Sequence, residues 1–145
     1  MCAVKYSFKN CKYIHPTAHN PAVILDGGHN YDGVANLCAS IRELWRNKAV
    51  GVVYAAMRDK DYAGCLELLS NELHPKLYVT TVPDMARAAK PQELLSLSRN
   101  LLWRNNPEGF EFPEDAVNRA GNDGNDIVIV CGSLYLVGYV RSKID

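Results

Sequence analysis

Residues 26–30 combine side chains that could carry chemistry. This stretch, Asp26–Asn30, holds a carboxylate, two glycines, an imidazole and an amide in succession. Glycines let a backbone turn sharply and approach a ligand. The Asp26 carboxylate could bind ribose hydroxyls or a hydrated metal. The His29 imidazole could bind an anion or move a proton. The Gly-x-Gly-x-x-Gly spacing of a dinucleotide loop is absent. The alternative is an Asx turn in which Asp26 accepts backbone N–H groups, although such a turn does not need the histidine.

Two further stretches and one loop arginine have similar potential. Arg58–Asp61 places two cations and two carboxylates together, and is either a functional cluster or a solvated loop whose Asp61 caps a helix. Ser133, after Gly132, begins the last predicted helix, where backbone N–H groups and the helix dipole favour an anion such as a carboxylate. Ser133 is equally suited to act only as an N-cap. Arg87 is either a contact for an anionic substrate or an exposed side chain.

Apolar runs of strand length alternate with helical patterns from residue 21 onward. Strands are predicted at Ala22–Leu25, Val50–Ala56, Lys76–Thr81, Gly109–Phe112 and Ile127–Val130. Strands that are apolar on both faces and alternate with amphipathic helices indicate a parallel sheet covered on both sides. We therefore predict an α/β fold, a three-layer Rossmann-like domain with a mostly parallel sheet of about five or six strands and helices on both faces.

Capping residues predict where the helices begin. Asp32 is expected to cap a helix that runs to about Trp45, and Asp61 to cap the next one. Pro91 and Pro113 suit the first turns of two later helices. Because functional loops leave the carboxyl ends of parallel strands, the chemistry-bearing stretches are expected to meet at one edge of the sheet.

The first twenty residues lack this regularity. Residues 1–20 are predicted to be an irregular N-terminal segment or an edge strand, with a short strand around Val4–Phe8, and residues 21–145 to form one domain. The start of the chain lacks a charged segment followed by a long apolar one, so no secretory signal is expected.

Composition excludes several classes of function. The 145 residues include 16 basic and 16 acidic side chains, which gives no electrostatic case for binding nucleic acid or an anionic membrane. No apolar run approaches the roughly 20 residues that span a bilayer. The five cysteines include no Cys-x-x-Cys pair, so we expect free thiols in a reducing cytoplasm and no metal site.

The three stretches, in this order and spacing, resemble the C-terminal domain of folylpolyglutamate synthase/dihydrofolate synthase, in the Mur ligase superfamily of ATP-dependent amide ligases. The matching segments are Val23–Asn30, Tyr54–Tyr62 and Val130–Gly138, and the resemblance covers roughly residues 21–144. It implies that residues 21–145 are a glutamate ligase domain. Such an enzyme forms an acyl phosphate from ATP and a folate or dihydropteroate carboxylate, which the amine of glutamate then attacks.

The resemblance also implies roles for individual residues. Asp26 and Asn30 match positions that bind the nucleotide, and Ser133 matches the serine associated with glutamate. His29 matches a histidine near the reacting groups and is assigned both to glutamate binding and to catalysis.

Two further assignments concern the cleft between domains. Asp59 and Lys60 match a pair that faces this cleft and are assigned to catalysis, and Arg87 loosely matches a substrate-loop arginine. No residue is assigned to a metal.

One departure from the family matters for function. The Gly-x-x-x-x-Gly-Lys-Ser/Thr loop that cradles phosphates does not occur in this sequence. ATP and Mg²⁺ are therefore expected to be bound mostly by the partner ATP-binding domain of the same enzyme and not tightly by this chain, with glutamate and folate as substrates. We expect the isolated chain to be inactive. The alternatives are a stand-alone, non-catalytic binding module for glutamate or nucleotide, and an unrelated Rossmann-like enzyme.

Overall fold

A computed structural model describes residues 11–14 and 20–144. Its strands are β1 (Cys11–Ile14), β2 (Ala22–Asp26), β3 (Val50–Tyr54), β4 (Lys76–Val79), β5 (Glu108–Gly109) and β6 (Ile127–Cys131). They form one six-stranded sheet in the order β1-β2-β6-β3-β4-β5. The edge strand β1 pairs antiparallel with β2, and the other five strands are parallel. The predicted fold class is confirmed.

In the described part of the chain, five helices cover the two faces of this sheet. They are α1 (Tyr31–Leu44), α2 (Tyr62–Leu73), α3 (Pro91–Ser98), α4 (Pro113–Gly121) and α5 (Leu134–Ile144). Buried residues of α1, α2 and α3 share one core with alternate strand residues such as Ile24 and Ile129. Those of α4 and α5 share the other core with the intervening residues, such as Leu25 and Val130. This double burial explains why β3 and β6 are apolar throughout.

The helix starts agree with the predicted caps except at α1. Asp61 caps α2 by accepting the Gly64 N–H over 3.0 Å, and Pro91 and Pro113 stand in the first turns of α3 and α4. The Asp32 prediction is wrong, because Asn30 is the N-cap of α1 and its Oδ1 accepts the Gly33 N–H over 2.8 Å. Asp32 instead lies in the first turn, where a carboxylate meets the positive end of the helix dipole.

Three strands are shorter than predicted, and β2 and β6 each extend one residue further. Val50–Ala56 is a strand only to Tyr54, because the Ala56 carbonyl accepts the N–H of Ala89 from the loop before α3 over 2.8 Å. Lys76–Thr81 is a strand only to Val79. In place of the predicted Gly109–Phe112 strand, the structure has the two-residue strand β5, which begins one position earlier at Glu108. The strand predicted around Val4–Phe8 lies outside the described residues. Among residues 11–14 and 20–144, no helix has the length and apolar character needed to cross a bilayer.

Candidate functional site

The loops that follow β2, β3 and β6 meet at the carboxyl edge of the sheet. Since β6 lies between β2 and β3, its loop touches both neighbours, and the Gly132 N–H donates to the Gly28 carbonyl over 2.9 Å. The loop after β4 closes a cleft of about 220 Å³ against them. The residues that line it are His29, Met57, Asp59, Lys60, Arg87, Gly132, Ser133, Leu134 and Tyr135.

The cleft brings together most of the predicted site residues. Of the seven named from the sequence, five line it: His29, Asp59, Lys60, Arg87 and Ser133. Asp26 and Asn30 are not among the lining residues. Asn30 is exposed and uses its side-chain oxygen as the helix cap, and Asp26 lies at the end of β2, at the base of the turn that carries His29.

The Asp26 carboxylate forms the Asx turn that the sequence left open as an alternative. Its Oδ1 accepts the Gly28 N–H over 2.7 Å. The side chain is partly buried, and this loss of solvation raises the pKa of Asp26 above its ordinary value of 3.8, although the Gly28 hydrogen bond opposes the rise. Ionisation of this carboxylate therefore carries a desolvation cost.

The His29 ring has a defined tautomer. Its Nδ1 lies 3.0 Å from the Gly27 carbonyl, which can only accept a hydrogen bond, so Nδ1 carries the proton. In the neutral ring Nε2 is then an acceptor. A histidine lining the cleft in this form can accept a hydrogen bond, or a proton, from an ammonium group of a ligand.

Ser133 is the N-cap of α5. Its side chain is almost fully buried, and Oγ accepts the N–H groups of Tyr135 over 3.1 Å and of Leu136 over 3.4 Å. Both bonds use the oxygen as an acceptor, which leaves the hydroxyl proton as a donor for a ligand. The cap and the anion-binding interpretations of Ser133 are thus compatible, since the same residue places the positive end of the helix at the cleft.

The charged residues of the cleft are solvated. Lys60 is exposed, and the Arg87 Nη1 lies 4.0 Å from the Asp59 Oδ2 with both side chains more than half exposed. The cleft is thus lined by two cations and one carboxylate next to a helix N-terminus. This arrangement favours an anionic ligand.

The sequence did not identify all of the residues that build this site. Met57, Leu134 and Tyr135 line the cleft and were given no role, although all three lie within the segments Tyr54–Tyr62 and Val130–Gly138 that carry the family resemblance. Within the described residues, no group of three or more His, Cys, Asp or Glu side chains could hold a metal ion.

Substitution of Asp26 by asparagine is expected to stabilise the fold. The amide of the Asp26→Asn variant would keep an acceptor for the Gly28 N–H and would remove the buried charge, with a gain of about 0.5–2 kcal/mol at neutral pH, as single stabilising changes commonly give. Urea unfolding of both proteins measures this gain.

The gain is also expected to depend on pH. Because the folded state raises the pKa of Asp26, the wild type carries its penalty above that folded pKa and loses it as the pH falls toward 3.8. The difference between the two proteins should therefore shrink on acidification. A wild type more stable than Asp26→Asn at pH 7 would contradict the assigned desolvation.

Comparison with known proteins places this α/β domain in a family. The model for "Mur ligase, glutamate ligase domain" matches residues 13–134, most of the chain, and the chain belongs to this family. The chain is 29% identical over 129 residues to the dihydrofolate synthase/folylpolyglutamate synthase of Bacillus subtilis. It is 27% identical over 128 residues to the folylpolyglutamate synthase of Lacticaseibacillus casei.

Solved structures agree with this placement. The fold superposes on E. coli FolC in complex with ADP with a TM-score of 0.76 at 29% identity, covering 89% of this chain and 30% of that one. The folylpolyglutamate synthase of Thermotoga maritima gives a TM-score of 0.75 at 26% identity, covering 90% and 29%. Against the B. subtilis relative the match covers 86% of this chain and 28% of the relative, so the chain spans less than a third of the proteins it matches.

Proposed function

We propose that this chain supplies the glutamate site of an ATP-dependent amide ligase that adds glutamate to a folate or dihydropteroate carboxylate. The observation that supports it is the presence of His29, Lys60, Arg87 and Ser133 in one cleft at the carboxyl edge of the sheet. Relatives named as dihydrofolate and folylpolyglutamate synthases give the reaction class.

The chemistry of the cleft suits an amino acid with two carboxylates. Lys60, Arg87 and the α5 N-terminus at Ser133 provide separate positive positions for the two anionic groups. Nε2 of His29 provides an acceptor for the amine. When the amine attacks the acyl phosphate, the new C–N bond forms, phosphate leaves, and His29 is placed to take the amine proton.

The remaining roles belong to the rest of the enzyme. We propose that a phosphate-loop domain binds most of the ATP and Mg²⁺, and that Asp26 and Asn30 contact the nucleotide when the two domains close, as the family resemblance implies. Phosphoryl transfer depends on positioning and charge neutralisation by a phosphate loop, a lysine and Mg²⁺. The E. coli FolC structures in complex with ADP, and with DHPP and ADP, support nucleotide and folate-type substrates for such an enzyme.

The isolated chain is expected to bind glutamate without forming an amide bond. Titration of the ¹⁵N-labelled chain should give saturable shifts confined to the cleft, with a Kd of about 1 mM, since only a few solvated charges hold the ligand. Phosphate release with ATP, Mg²⁺, glutamate and dihydropteroate should not exceed that of the Ser133→Ala and Asp26→Ala variants. Shifts that spread over the surface without saturation would contradict the glutamate site. Release clearly above both variants would contradict inactivity.

A further inference from the structure

Arg58 makes an extensive set of contacts just outside the cleft. Its guanidinium donates to the Ala86 carbonyl from Nη1 over 3.0 Å, and to Glu93 Oε1 from Nη2 over 2.8 Å and from Nε over 3.2 Å. Its backbone N–H also donates to the Arg87 carbonyl over 2.8 Å. One residue in the loop after β3 therefore holds the two peptide carbonyls on either side of the Arg87 Cα.

The loop that Arg58 holds is the one that brings Arg87 to the cleft. Residues 80–90 connect β4 to α3, and their last part is fixed by the Ala89 N–H bond to the Ala56 carbonyl and by a β-bridge between Met57 and Ala88. The Arg87 side chain is about two-thirds exposed, and its ion pair with Asp59 is 4.0 Å long. Such a pair orients a side chain weakly, so the position of Arg87 depends on its backbone.

Glu93 links this loop to the following helix. Its Oε1 accepts the Lys90 N–H over 3.2 Å in the capping box of α3 and also accepts from Arg58. These bonds lower the pKa of Glu93, so the carboxylate stays ionised at neutral pH. Since both partners are about 40% exposed, the pair adds little to global stability, and its main effect is on geometry. A planar, forked cation suits this geometry, because it can hold a carbonyl and a carboxylate at once.

We propose that Arg58 is a positioning residue that clamps residues 80–90 to the end of β3 and so fixes Arg87 where it meets the anionic substrate. The effect on substrate rests on the proposed glutamate site, whereas the clamp itself does not. Loss of the guanidinium should loosen the loop, weaken glutamate binding about five- to tenfold through Arg87, and leave the core intact.

Hydrogen exchange of the ligand-free chain tests the clamp. Arg58→Met and Glu93→Gln should each speed the exchange of the Ala88 and Ala89 amides about tenfold, while amides of β6 stay unchanged and melting stays within about 4 °C of wild type. The Glu93→Gln side chain keeps an acceptor for the Lys90 N–H, so this variant removes the ion pair without removing the cap. Arg46→Met, an exposed arginine beyond the end of α1, is the matched control and should change nothing. Unchanged exchange at both alanines would overturn the proposal.

A double-mutant cycle with glutamate tests the link to Arg87. Arg58→Met should weaken binding in the wild-type background and have no effect in the Arg87→Met background, because the loop then has no cation to position. Arg58→Lys should recover only part of the affinity, since one ammonium cannot replace the fork. Equal losses in both backgrounds would overturn positioning through Arg87. If the wild type binds no glutamate, the glutamate site fails, and the exchange experiment still decides whether Arg58 clamps the loop.

Discussion

Replacing Gly132 by alanine is expected to destabilise the domain by about 3–5 kcal/mol, the sum of backbone strain and overpacking. Gly132 has φ +107, a conformation that L side chains rarely adopt, and an added Cβ would lie 2.1 Å from the Ala55 carbonyl oxygen and 2.8 Å from Cε1 of Tyr54. The nearest of these atoms is backbone of the buried chain after β3, which cannot move aside without displacing the sheet. The melting temperature should fall by about 10 °C or more.

The same change is expected to open the cleft. The Gly132 N–H bond to the Gly28 carbonyl ties the β6 loop to the turn that carries His29, and a shift of Gly132 would break it. Differential scanning calorimetry and the amide exchange of Gly132 measure the two effects.

Two other glycines serve as matched controls for this experiment. Gly138 lies on α5, and no neighbouring group lies within 4 Å of the position that an alanine Cβ would take. Gly138→Ala should therefore stabilise the helix by about 0.5–1 kcal/mol. Gly124 has φ +78 and equally open space, so Gly124→Ala isolates the backbone strain, about 1–2 kcal/mol. If Gly132→Ala loses no more stability than Gly124→Ala, the close approach of the added Cβ to Ala55 and Tyr54 does not contribute to the destabilisation.

Reversal of the charge at Lys60 is expected to have the largest effect on ligand binding. At the proposed glutamate site, Lys60→Glu replaces an attraction for a glutamate carboxylate by a repulsion. The change in binding free energy is then the lost attraction plus the new repulsion. For an exposed side chain each contribution is about 1–1.5 kcal/mol, and the combined change lowers glutamate affinity about 30- to 150-fold. The shift titration described above measures it, because the variant should stay far from saturation at glutamate concentrations that saturate the wild type.

Lys48→Glu is the control for this reversal. Lys48 is also exposed and precedes β3, at the opposite edge of the sheet from the cleft. Lys48→Glu and Lys60→Glu change the net charge of the chain equally, so any general electrostatic effect appears in both variants. The loss of glutamate affinity in Lys60→Glu should exceed the loss in Lys48→Glu more than tenfold. The difference in glutamate affinity between the two variants should also narrow as salt is added, because exposed charges are screened. Equal losses in the two variants would remove Lys60 from the glutamate site.

The sequence alone predicted the architecture because burial leaves a local pattern. The β-branched run Ile127–Val130 lies in a strand that is buried on both faces. This burial requires cover from helices on both sides, so the three-layer fold follows from residue type and period. The cap of α2 was predicted correctly at Asp61, although Asp59 is a second acceptor two residues earlier. At α1 two acceptors, Asn30 and Asp32, competed, and the backbone conformation of Asn30 decided between them.

The candidate site was also largely predictable, because strand-end stretches in a parallel sheet must converge at one edge. Local sequence thus determined that the stretches holding His29, Lys60 and Ser133 would meet. It could not determine which atoms each side chain uses. Only the tertiary structure shows that Asp26 commits an oxygen to its own turn and that Ser133 both caps α5 and lines the cleft.

The clamp at Arg58 depends on tertiary structure entirely. Arg58 and Glu93 are 35 positions apart, and the loop that Arg58 holds lies between them. An exposed arginine or glutamate can be solvated by water or paired with any opposite charge. The sequence around either residue therefore does not predict that the two form a pair. The sequence therefore determined the sheet, its helices and the edge at which chemistry gathers. The packing of residues 80–90 against the end of β3 decided which cation reaches the cleft, because contacts between distant segments exist only once the chain has folded.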